Sequence, residues 1–69
     1  MTICQRLRQK RRAMKMRQVD VATYLGFDSK NGYWSIENGR TRLRVEHIVA
    51  LCRLYNVPAE FFLQDDEKL

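Results

Sequence analysis

The chain has 69 residues, which limits it to one small domain. No apolar run approaches the roughly 20 residues that cross a bilayer, so a soluble, cytoplasmic protein is expected. Net charge is +5 and unevenly spread: residues 1–59 carry 12 basic and 4 acidic side chains, while Glu60, Asp65, Asp66 and Glu67 hold the other acids. Such a cationic body suits a polyanionic partner, with a solvated basic surface as the plainer alternative. Cys4 and Cys52 lie 48 positions apart, outside any metal-ligand spacing. Both fall on apolar helical faces, which favours small buried hydrophobes over a disulfide. A domain this small buries only about 60% of its unfolded surface, so tight helix packing or a partner subunit is expected.

In chain order, the first predicted helix runs from about Ile3 to Met14. Thr2 and Gln5 fit a capping box, each side chain satisfying a free backbone amide. Ile3, Leu7, Arg11 and Met14 share one face, with Arg6, Arg8, Lys10 and Arg12 mostly outward. After a link at Lys15–Arg17, a second helix spans about Gln18–Leu25, with Val21, Ala22 and Leu25 on one face. Gly26 stops it, since glycine reaches left-handed φ at little cost. The third helix spans about Ser29–Glu37, with Asp28 or Ser29 as N-cap, and ends at Asn38-Gly39. Residues 38–44 form a basic loop. The fourth helix, about Val45–Tyr55, should bury Val45, Ile48, Leu51, Cys52 and Tyr55. Asn56 ends it, and Pro58 suits the start of a short fifth helix with Phe61 and Phe62. No segment alternates long enough for a strand. The expected fold is all-α, a bundle of five short helices over residues 1–64, with an acidic, disordered tail at 65–69.

Two short helices with a tight break between them are the layout of a helix-turn-helix, which sets a short helix into a duplex groove. The run Gln18, Val21, Ala22, Leu25, Gly26, then Tyr33, Ile36, Glu37, Gly39, then Arg40 and Arg42, then Val45, Ile48, Leu51, Cys52 and Tyr55 resembles the phage-repressor and Cro-like, or Xre-type, helix-turn-helix family. The likeness spans Leu7 to Phe62. It departs from the family in three places. Gly26 to Glu37 is one residue longer than usual, with the addition in Phe27-Asp28-Ser29. Cys52 replaces a small Ala, and Leu43 stands where many relatives have Pro.

The resemblance implies a sequence-specific double-stranded DNA-binding regulator of repressor type, acting as a homodimer. A protein-interaction module on the same fold, such as an antitoxin or a phage accessory factor, is the alternative. Lys30, Asn31 and Ser35 would face base edges, where Asn pairs with adenine and Lys donates to guanine. Against this, Asn31-Gly32 is also a strong turn signal. Trp34 would pack on sugar or a thymine methyl, anchor a partner, or lie against the neighbouring loop. Gln18 would hold a phosphate, with a solvated polar residue as the alternative. Asn38, Arg40, Thr41, Arg42 and Arg44 would track phosphates. Arg11 and Glu37 would form a partly buried ion pair that positions the third helix rather than reads. Pairing surfaces would come from the fourth and fifth helices and from Phe61-Phe62-Leu63, with Phe62 in the core and Phe61 and Leu63 freer. Catalysis finds no support, because the lone His47 has no nucleophile or ligand partner and should sit on the surface. No metal, cofactor or membrane partner is expected.

Overall fold

Local signals set each helix in turn in the computed structural model, which describes residues 2–63, with the side chain of Leu63 excepted. The Thr2 N–H donates to Gln5 Oε1 at 2.8 Å and the Gln5 N–H donates to Thr2 Oγ1 at 3.2 Å, closing the capping box. Helix α1 (Ile3–Ala13) follows, with Met14 as its C-cap. The link contains Lys15 at φ 57°, a left-handed conformation that costs a non-glycine residue about 1–2 kcal/mol. Arg11 braces this link, its Nη1 donating to the Met16 carbonyl at 3.1 Å. Helix α2 (Gln18–Tyr24) opens with the Arg17 N–H donating to the Asp20 carboxylate at 2.8 Å. Gly26, at φ 90°, ends it. Ser29 Oγ accepts from the Asn31 N–H at 3.3 Å and caps α3 (Lys30–Glu37). Helix α4 (Val45–Tyr55) stops at Asn56 in left-handed geometry. Helix α5 (Glu60–Leu63) begins two residues past Pro58, whose carbonyl accepts from the Phe61 N–H at 2.9 Å.

The described residues contain no strand, so the fold is all-α with five helices, as the sequence led one to expect. Leu7, Val21, Ala22, Tyr33, Ile36, Leu51 and Tyr55 form the buried core, one stripe from each of the first four helices. Burying each large aliphatic side chain contributes about 1.5–3 kcal/mol. Ala22 is fully buried and lets α3 approach α2 closely. The Tyr33 and Tyr55 hydroxyls lie 3.1 Å apart, so neither is left unsatisfied in the interior.

Four expectations are corrected. Within α4, Val45 is 76% exposed and Ile48 and Cys52 are only half-buried where burial was expected, because Val45 forms the first turn and the buried residues of this helix are Leu51 and Tyr55. Met14 is exposed because α1 ends before it. Phe61 is not free: it packs on Phe62 edge to face, ring centroids 5.1 Å apart, and both lie against the core. His47 is not a plain surface residue. It is half-buried, its ring centroid 5.0 Å from that of Phe27, with Nδ1 covered and lacking a hydrogen-bond partner. The tail expected at 65–69 lies outside the described residues.

Candidate nucleic-acid interface

Helix α3 has two unlike faces. Tyr33, Ile36 and Glu37 are buried, whereas Lys30, Asn31 and Trp34 are exposed and Ser35 is half-buried. Asn31 and Gly32 lie within the helix and form no turn. The reason for a glycine there is steric. A Cβ at Gly32 would stand 2.3 Å from ring carbons of Phe27, so the ring occupies the space a side chain would need. Phe27, from the turn between α2 and α3, is therefore wedged between α3 and His47 of α4.

The chain beyond α3 folds back on the helix end. The Arg40 and Thr41 N–H groups donate to the Ser35 carbonyl at 2.8 and 3.3 Å. Asn38 Nδ2 donates to the Trp34 carbonyl at 2.9 Å. The Arg40 guanidinium sits over the Trp34 ring, 5.4 Å from its centroid. Trp34 is thus partly covered by its neighbouring loop. Asn38, Arg40, Thr41, Arg42 and Arg44 are all exposed, while Leu43 between them turns toward the core. An apolar contact at Leu43 holds the loop where a proline would have stiffened it.

A polar network holds the C-terminal end of α3. Glu37 is fully buried. Arg11 donates to it through both Nε (2.8 Å) and Nη2 (3.1 Å), a bidentate pair. Gln18 Nε2 donates to Glu37 Oε1 at 2.9 Å, and Arg8 Nε lies 3.6 Å from the same oxygen. Burial pushes the Glu37 carboxyl up. Hydrogen bonds from Arg11, Gln18 and Tyr33 outweigh that and hold it below the usual carboxylate range. Burial, together with the hydrogen bond to Tyr55, drives the Tyr33 hydroxyl far above its ordinary value, so it stays protonated. Gln18 is half-buried and faces inward with one N–H, where the sequence suggested a solvated or phosphate-facing amide.

Three features escaped the sequence reading: the wedge of Phe27 on Gly32, the Tyr33–Tyr55 hydroxyl pair, and the contribution of Arg8 to Glu37. Only the first left a signal, an isolated glycine inside a helical pattern. Among the described residues, no group of three or more His, Cys, Asp or Glu could hold a metal ion, and no helix is long and apolar enough to cross a membrane.

Comparison with known proteins adds one match. No curated protein and no solved structure matches the chain. The family described as a helix-turn-helix domain matches residues 4–61, which takes in all of α1 but its first residue, α2 through α4 and the start of α5. With α2 and α3 packed across the Gly26 break and α3 presenting a polar outer face, the chain belongs to the helix-turn-helix domain family.

Proposed function

We propose that this chain is a sequence-specific double-stranded DNA-binding transcriptional regulator, of the phage-repressor or Cro-like type, with α3 entering the major groove. The observation that carries this reading is the exposed row of Lys30, Asn31 and Trp34 on α3, continued by the exposed Arg40, Arg42 and Arg44. Lys30, Asn31 and Ser35 are assigned to base edges, and Trp34 to the sugar or thymine-methyl surface beside them. Asn38, Arg40, Thr41, Arg42 and Arg44 are assigned to phosphates, and Gln18 joins them through its second amide hydrogen. Arg11 and Glu37 position α3 and touch no base. Two copies bind together, because one short helix spans too few base pairs to specify a site. The exposed Val45 and Val49, one turn apart on α4, support pairing through that helix.

Selection from a random duplex library tests the reading. The expected product is a two-fold-related sequence with half-sites about 10 base pairs apart, bound in a salt-sensitive manner. Asn31→Ala should relax preference at one base position by about 1–3 kcal/mol, and Arg42→Ala should weaken all duplexes alike and lower the salt slope by about one unit. Absence of both enrichment and salt dependence would overturn the assignment.

A further inference from the structure

Helix α1 carries Arg6, Arg8, Lys10, Arg11 and Arg12, and no acidic residue. Gln5, Arg8, Gln9 and Arg12 recur at i, i+3, i+4 and i+7, so they share one face. They line an open groove of about 330 Å³. Gln5 Oε1 already accepts from the Thr2 N–H, so the group its amide has left to offer is a donor. The Arg12 guanidinium and the Gln9 amide are exposed, without partners among the described residues. A groove lined, among the described residues, by guanidinium and amide donors and no carboxylate matches an oxyanion, and Arg in particular matches a phosphate.

The groove is not isolated from the proposed interface. Its helix flank touches the end of α3: the Cys4 S–H donates to the Ile36 carbonyl at 3.6 Å, and a Cβ on Gly39 would lie 3.5 Å from Cys4 Sγ. Arg8 reaches the Glu37 oxygen that Gln18 also holds. The donor-lined face of α1 and the arginines after α3 are thus joined at Gly39 and Glu37.

We infer that the α1 groove is an additional phosphate site, taking a backbone phosphodiester of the duplex beyond those held by the loop at 38–44. The inference rests on the DNA-binding reading above. The site reads no bases. Arg12 supplies its free charge, Gln5 and Gln9 supply neutral donors, and Arg8, shared with Glu37, orients the rim.

The test uses the full chain. Wild type, the double variant Arg12→Ala/Gln9→Ala, and Arg42→Ala as reference are titrated into a selected duplex and a random duplex over a range of salt. Phosphate-ethylation interference is read in parallel. Both altered side chains are exposed, so thermal melting should match wild type. The expected result for the double variant is equal fold-loss on both duplexes and a salt slope lower by about 0.9. At least one phosphate per half-site, still sensitive in Arg42→Ala, should also vanish from its interference pattern. If Arg42→Ala weakens binding while the double variant keeps its slope and full pattern, the groove site is overturned and the DNA-binding reading stands. If wild type shows no salt-dependent duplex binding, both fall.

Discussion

The two ends of α3 are held by different physics. At the C-terminal end, Glu37 is buried under Arg11, Gln18 and Tyr33, so position depends on charge and hydrogen-bond direction. At the N-terminal end, beside the neutral Ser29 cap, Phe27 lies against Gly32, so position depends on volume and involves no charge. The charged end tolerates no missing partner, because an unpaired ion in the interior is costly. The apolar end tolerates no added atom, because the ring already fills the space. Neither anchor uses Lys30 or Asn31, whose side chains remain exposed for contact. Holding a helix by its inner face and its ends leaves its outer face open to substitution.

Three perturbations separate these anchors. Glu37→Ala should have the largest effect, a loss of about 3–5 kcal/mol in urea unfolding, because it strands Arg11 in a half-buried site. Gly32→Ala should cost about 1–3 kcal/mol despite the better helix propensity of alanine, since the new methyl meets Phe27. Shrinking Phe27 to Leu in the same chain should recover part of that loss; recovery in Glu37→Ala as well would show that the two ends are not independent. Acid should have the smallest effect and act on one end only. The folded Glu37 carboxyl is depressed, so its stabilisation is complete above the unfolded value of about 4.3 and is lost as pH falls through the folded value. Glu37→Gln should flatten that acid limb, whereas Gly32→Ala should leave its slope unchanged.

Much of this architecture was legible in the residues. Thr2 with Gln5, Ser29, Gly26 and Gly39 act through their own backbone neighbourhood, so their roles follow from local chemistry. The stripes of Val21-Ala22 and Tyr33-Ile36 point inward because helical period alone determines their face. Val45 fits the period yet is exposed, since period says nothing about whether a neighbouring element extends that far. The inward turn of Gln18 depends on a carboxylate 19 residues away, and the Tyr33–Tyr55 contact on a hydroxyl 22 residues away. Such pairings arise only when distant helices meet. The presence of Phe27 in the turn was visible, but its use as a wedge required the position of His47 and Gly32 together.

Trp34 is the single tryptophan of the chain and lies on the solvent side of α3, under the Arg40 guanidinium. Its emission therefore reports the state of one surface patch, with the tyrosine-lined interior contributing at shorter wavelengths. Any ligand that draws Arg40 off the indole must change that signal, which makes the native chain its own optical sensor for occupancy of this face.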